Sequence, residues 1–199
     1  MRDLDLKLLR WMRTHGHSRG VEDAAVALGK VGNNGLIWLV LGLTLVAIDS
    51  SRWQQWLVCA LLGPFAIGLN YAIKLLVKRP RPVLEGLPPL GGAPSSLSFP
   101  SANATSSFAV ATAMVRVDPA MAGAFVVAVL VSLGRPYLGM HYPSDVLAGA
   151  LVGFGAATLV TTLGRTWVVR LVVLVSRVTD PLLRPVWAWC RRLMPAPRL

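Results

Sequence analysis

The stretch Trp53–Ile73, WQQWLVCALLGPFAIGLNYAI, carries no charge and is bracketed by Arg52 and Lys74. A bilayer core of about 30 Å is crossed by roughly 20 apolar residues in a helix, and this run meets that length. Working outward, Val31–Ile48 and Val146–Gly164 are two more charge-free runs of similar length. Pro119–Gly134 and Ala102–Val115 are shorter and have polar ends. Such runs predict helices buried inside a bundle. A chain of 199 residues lacks the polar surface to cover five of them in water.

Composition agrees. Hydrophobic residues make up 54% and charged residues 15%, against about 25% charged in a typical soluble domain. Intrinsic disorder is excluded, because disordered chains are poor in apolar residues and rich in charge. The charge that remains is lopsided, with Lys+Arg 20, Asp+Glu 9 and a net of +11. A basic balance points to nucleic acid or to an anionic membrane. The apolar excess selects the membrane and excludes nucleic acid as partner.

The predicted fold is all-α: a polytopic transmembrane bundle of about five to six spans, with amphipathic interfacial helices at the ends. Residues 1–30 form the amphipathic N-terminal part, 31–164 the transmembrane core and 165–199 a basic amphipathic tail. Met1–His15 places Leu4, Leu8, Leu9, Trp11 and Met12 on one face and Arg2, Lys7, Arg10 and Arg13 elsewhere, the pattern of an interfacial helix. Val21–Val31 reads as a second one. In the tail, Trp167–Val178 is interrupted by Arg170 and Arg177, which favours a surface-lying helix over a sixth span. No small-residue cleavage site follows the N-terminus, so no secretory signal is expected. Cys59 and Cys190 have neither disulfide-framework nor metal-site spacing. His15 and His17 read as part of a polar N-terminal loop.

Ionisable groups at membrane depth are costly and mark function. Three segments carry them. In the first, Lys74 ends an apolar helix and Arg81 follows between Pro80 and Pro82, which force extended chain. The two cations can converge on one anion, or simply flank a membrane span. In the second, Ser98-Phe99-Pro100-Ser101-Ala102-Asn103, Pro100 suggests a helix start. The free amides of Ser101, Ala102 and Asn103 then offer an anion site or a plain cap. In the third, Arg135 precedes His141, and Pro143 starts a helix with Asp145 in its first turn. A carboxylate there holds one imidazole nitrogen and leaves the other free to attack. Cations, helix N-termini, one His and one Asp are what phosphoryl transfer without a metal requires: Arg and Lys neutralise the phosphoryl oxygens, His attacks, and an acid protonates the leaving oxygen.

These three segments resemble the signature of the type 2 phosphatidic acid phosphatase superfamily, which includes the vanadium haloperoxidases. Its pattern is K-x6-R-P, then P-S-G-H, then S-R-x5-H-x3-D. Lys74 to Arg81-Pro82 matches the first, and Arg135, His141 and Asp145 match the third with Gly134 in place of Ser. The resemblance implies that Lys74, Arg81 and Arg135 bind phosphate, helped by Ser101 and the helix amides including that of Ala102. It implies that His141 is the nucleophile forming a phosphohistidine and that Asp145 orients it. It implies no metal and no cofactor. The second motif departs from the family: Ala102 stands for Gly, and Asn103 stands for the general-acid His. General acid catalysis contributes about 10²–10⁴-fold, and an amide gives up no proton near neutral pH, so turnover is expected to be slow. An inactivating substitution made to hold ligand and a naturally weakened site both fit. The intactness of the other phosphate-handling positions favours the first.

The resemblance implies an integral membrane protein of the bacterial plasma membrane acting on a lipid phosphate. Phosphatidic acid, phosphatidylglycerol phosphate and polyprenyl phosphates or diphosphates are the candidate substrates. The run Ser96–Ser106 resembles actinobacterial members, one group of which removes the 5-phosphate from decaprenylphosphoryl-phosphoribose in cell-wall arabinan precursor synthesis. Val83–Leu97, rich in Pro, Gly and Leu, reads as a lipid gate or as a connecting loop. The alternative function is a catalytically inactive phospholipid-binding protein of the same fold. A transporter would show paired repeats, which are absent. A haloperoxidase is disfavoured because those relatives are soluble. Six Lys/Arg before the core and seven in the tail leave the positive-inside rule undecided on sidedness.

Overall fold

The computed structural model describes residues 2–32, 35–92 and 96–162. Within them run α1 Arg2–Thr14, α2 Arg19–Val31, α3 Leu36–Ile48, α4 Trp53–Val77, α5 Ala102–Val117, α6 Gly123–Tyr137 and α7 Pro143–Thr162. A 3₁₀ turn, Pro119–Ala122, leads into α6. No strand occurs among the described residues. The expected all-helical membrane bundle is therefore present; the tail beyond 162, with its expected surface helix, lies outside the described residues.

The described helices do not by themselves account for the expected five to six spans. By length and composition, three helices are able to cross a membrane: α4, Pro119–Tyr137 and α7. A fourth is reached only if α2 and α3 count as one bent span. The Val31–Ile48 run fails as a single helix because its first residues are punctuated by glycine. Gly32 caps the end of α2, and Gly35, at φ 69°, caps the start of α3 in the left-handed region, where a residue without Cβ is favoured. Pro119–Gly134 is not buried as expected. It continues through Arg135 and Pro136 to Tyr137 and turns Val126, Val129, Leu130 and Leu133 outward.

Ala102–Val115 does behave as expected. It lies within α5, which has eleven of its sixteen residues buried and packs against α4, α6 and α7. Its side chains are mostly Ala, Ser and Thr, which let neighbours approach closely. A Cβ on Gly149 would stand 2.6 Å from the Ser101 carbonyl oxygen, and one on Gly153 would stand 2.2 Å from that of Thr105. Buried polar groups tie the helices together: Trp38 Nε1 donates to Ser107 Oγ at 2.8 Å, and Asn70 Nδ2 to Thr105 Oγ1 at 2.9 Å. Such bonds satisfy groups that lipid cannot.

α1 is amphipathic, but along a different line from the one expected. Asp5, Leu9 and Arg13, four apart, face inward and are buried, while Leu4, Leu8 and Trp11 are exposed. Leu9 and Arg13 thus share the protein-facing side, which leaves a separate apolar stripe for a membrane interface. His15 and His17 are not simply solvated. His17 lies 2.8 Å from Glu22 and stacks on Tyr137, fastening the α1–α2 corner to the end of α6.

Candidate active site

The ends of α4 and α6, the starts of α5 and α7 and the segment between α4 and α5 meet at one end of the bundle. α4 stops when Lys78 adopts φ 52°, a conformation that L side chains visit as single residues. Arg79-Pro80-Arg81-Pro82 then runs without helix, as the prolines require. Lys74, in the last turn of α4, is buried. Its Nζ donates to the carbonyls of Leu97 and Ser98, the latter at 3.5 Å. Arg81 Nη1 donates to the Met140 carbonyl at 2.6 Å and lies 3.1 Å from His141 Nε2, while its Nε and Nη2 hold Ser96. The first and third sequence segments are therefore in contact.

His141 is 3% exposed and Asp145 0%. Nδ1 of His141 stands 3.5 Å from Asp145 Oδ2, longer than a formed hydrogen bond, and has no closer partner. Asp145 Oδ2 accepts from the Tyr142 amide at 2.9 Å and from the Ser98 hydroxyl. Nε2, on the far side of the ring, faces Arg81. Burial, helped by Arg81 and Arg135 and opposed by Asp145, pushes the His141 imidazolium down to a pKa of about 4. That keeps the ring neutral near pH 7. Arg135, in the last turn of α6, is buried with Nε unpartnered. A Cβ on Gly29 would come within 2.9 Å of its Nη1, so Gly29 of α2 makes room for the guanidinium.

The second segment departs from expectation in detail. The helix begins at Ala102 with Ser101 as its N-cap, so Pro100 is not the first helical residue. The Ser101 amide donates to the Asp145 carbonyl at 2.9 Å and is not free for an anion. Its hydroxyl, in contrast, is buried without a partner, as is Asn103 Nδ2. Unpartnered buried polar groups are uncommon. Here four of them belong to residues of the three motifs: Ser101, Asn103, Arg135 and His141. Ala102, at the start of α5, is partly exposed. Two open clefts flank the site. One of about 580 Å³ lies under the Val83–Leu97 connection, with Arg81 in its wall beside Leu84, Pro88 and Leu97. The other, about 730 Å³, lies between Leu4 and Leu8 of α1 and Val77, Phe99 and Leu147.

Arg79 was not singled out by the motif reading. It donates to Asp145 Oδ1 at 2.7 Å and to Asp5 Oδ2 at 2.8 Å. Its sequence signal was its place two residues before Arg81 in an extended segment, where side chains two apart project to the same side.

Residues 54–169 match the family model described as the PAP2 superfamily. A decaprenylphosphoryl-5-phosphoribose phosphatase of Mycobacterium tuberculosis is 36% identical over 73% of this chain and 81% of its own length. The Mycolicibacterium smegmatis protein of the same name is 34% identical over 65% and 72%. Among solved structures, a PAP2-type phosphatidylglycerolphosphate phosphatase from Bacillus subtilis superposes with a TM-score of 0.66 at 24% identity, covering 83% of this chain and 86% of that one. LpxE of Aquifex aeolicus gives the same score and identity, covering 78% and 93%.

Proposed function

The chain belongs to the PAP2 superfamily, and from that premise we propose that it is a metal-independent lipid phosphatase of the bacterial plasma membrane, working through a phosphohistidine. The observation that carries this reading is the environment of His141: one ring nitrogen faces Asp145 and the other lies 3.1 Å from Arg81. In the proposed reaction Nε2 attacks phosphorus and the P–O bond to the lipid alcohol breaks. Arg81, Arg135 and Lys74 neutralise the phosphoryl oxygens, with the Ser101 hydroxyl and the amides of Ala102 and Asn103 as further donors. The leaving alkoxide must gain a proton. Asn103 cannot give one, so water does, and this step is slow. A second water then attacks the phosphohistidine and the P–N bond breaks; the hydroxide left by the first water takes up the proton released, inorganic phosphate departs and the ring is again neutral.

The substrate class we propose is a polyprenyl or glycerolipid phosphate monoester or diphosphate. Decaprenylphosphoryl-5-phosphoribose heads the panel, because the mycobacterial relatives carry that name. The apolar cleft beside Arg81 suits a headgroup with a long chain attached. We further infer five membrane passes, α3 to α7. α3 and α5 are too short to span by themselves, but they run alongside longer neighbours between the same two charged ends. The test is phosphate release from a lipid panel by the Asn103→His protein. We expect at least about a tenfold gain over the parent, lost again on His141→Ala. The second reading, an inactive lipid-phosphate binder, is favoured by Asn103 alone; it requires the Asn103→His protein to bind these lipids without releasing phosphate.

A further inference from the structure

Two charged residues sunk beside the site have no role in the reaction above. Arg79 uses Nη1 on Asp145 Oδ1 (2.7 Å) and Ser144 Oγ (2.8 Å), and Nη2 on Asp5 Oδ2 (2.8 Å). Its guanidinium carbon also lies 3.9 Å from the centre of the Tyr142 ring. Asp5 comes from α1, yet it also accepts from the Ser144 amide at 3.0 Å and the Ser144 hydroxyl at 2.5 Å. Apart from the Arg79–Asp5 pair itself, every one of these contacts lands on residues 142–145, which follow His141 and open α7. A carboxylate costs several kcal/mol to bury unless it is paired. Asp5 is 6% exposed although Leu4 and Leu8 beside it face outward. A surface helix has no need to bury an acid, so the pairing has to account for it.

We propose that Asp5 and Arg79 are positioning residues for the His141 nucleophile. α1 holds Arg79, Arg79 fixes the Oδ1 side of Asp145, and the carboxylate so oriented presents Oδ2 to His141 Nδ1. The inference rests on the reading of His141 as nucleophile and extends it. Asp145 is otherwise held only at Oδ2, by Ser98 and the Tyr142 amide. Oδ1 needs its own tether to stop rotation of the carboxylate. Arg79 supplies it, and Asp5 keeps Arg79 from turning its whole charge onto Asp145, which would weaken the attraction of Oδ2 for Nδ1, 3.5 Å away. Neither residue is among the phosphate donors proposed above, so the effect belongs in kcat and not in KM.

The test reads His141 directly by nitrogen-15 NMR of histidine-labelled full-length protein in lipid nanodiscs. The chain has three histidines, and His141 is assigned by its loss in His141→Ala. The parent is expected to show two widely separated ring-nitrogen shifts, the mark of a single Nδ1–H tautomer. In Arg79→Ala and Asp5→Asn the two shifts should move toward each other, and Arg79→Lys should restore part of the separation. Arg13→Ala is the control. It also loosens α1, by removing the 2.8 Å bond to the Pro88 carbonyl, but it leaves the chain of contacts to Asp145 intact. Unchanged His141 shifts in folded Arg79→Ala overturn the proposal. Equal movement in Arg13→Ala overturns it too, since α1 docking alone would then suffice. Should Arg79→Ala fail to fold, Asp5→Asn and Arg79→Lys decide by the same criterion. In the Asn103→His background, Asp5→Asn should lower kcat roughly tenfold, as loss of an outer partner does, at unchanged KM. If that background releases no phosphate the functional reading fails, while the ring-nitrogen shifts still decide the positioning.

Discussion

At the level of single residues, the proposed chemistry turns on Asn103 and His141. The general acid has to be protonated to act, so the Asn103→His enzyme should show kcat/KM falling on the alkaline side of about pH 6.5, the ordinary histidine value. The parent should lack that limb, and a limb shared by both would assign it elsewhere. His141 makes a separate prediction about stability. Burial holds its pKa at about 4 in the folded chain, below the unfolded value near 6.5. Its contribution is complete above about pH 6.5 and is lost as pH falls toward 4, because only the unfolded chain takes up the proton. Over that window unfolding becomes easier by about 3 kcal/mol at most. Thermal melts of the parent and of His141→Asn between pH 7 and 4 test this: the parent should lose more melting temperature, and equal acid slopes would contradict it. That Lys74, Arg81, Arg135, His141 and Asp145 gather at one end of the bundle could be anticipated in the sequence, because all five lie at the ends of apolar runs and match the spacing of the family pattern they resemble. Arg79 was not legible there, because its partner Asp5 lies far away in sequence, and no local spacing announces a pair closed only by the fold.

Among the elements, α5 and α7 make the closest approach. Gly149 and Gly153 form a small-xxx-small ridge of the kind that lets membrane helices touch. The ridge holds the Asp145 carbonyl within reach of the Ser101 amide. Its spacing was present in the sequence but was submerged in an apolar run that signalled only a span. Likewise the 31–48 run looked continuous because hydropathy does not register that Gly35 takes the left-handed conformation open to a residue without Cβ. A methyl group at Gly153 meets backbone atoms, which cannot move aside as a flexible side chain can. Gly153→Ala is therefore expected to force α7 away from α5 at a cost of roughly 1–3 kcal/mol. Melting temperature and activity should fall together. Gly155→Ala, two residues along the same helix with no atom within 4 Å of the added Cβ, should leave both intact. Equal melting of the two variants would show that the ridge is not a tight contact.

At the scale of the bundle, charge among the described residues gathers at two ends. Lys74, Arg79, Arg81, Arg135, His141 and Asp145 gather at one, with α1 laid against them. Asp49, Arg52 and Asp118 gather at the other, where Arg52 bridges both acids at 2.7 and 3.0 Å. Between them α4 carries no charge from Trp53 to Ile73, and at 25 residues it is about 37 Å long, enough to separate the ends by a bilayer core. The composition alone gave an apolar, basic chain; the fold assigns part of the positive excess to a single buried site. This arrangement predicts that the Val83–Leu97 connection and the Ser51 turn face opposite aqueous phases. In a Cys59→Ser, Cys190→Ser background, Leu87→Cys and Ser51→Cys should differ in labelling by a membrane-impermeant maleimide in intact cells. One should react at once and the other only after permeabilisation, and which of them reacts first fixes the side on which the site works. Prompt labelling of both in intact cells would mean that α4 does not cross the bilayer, and the five-pass reading would fall with it.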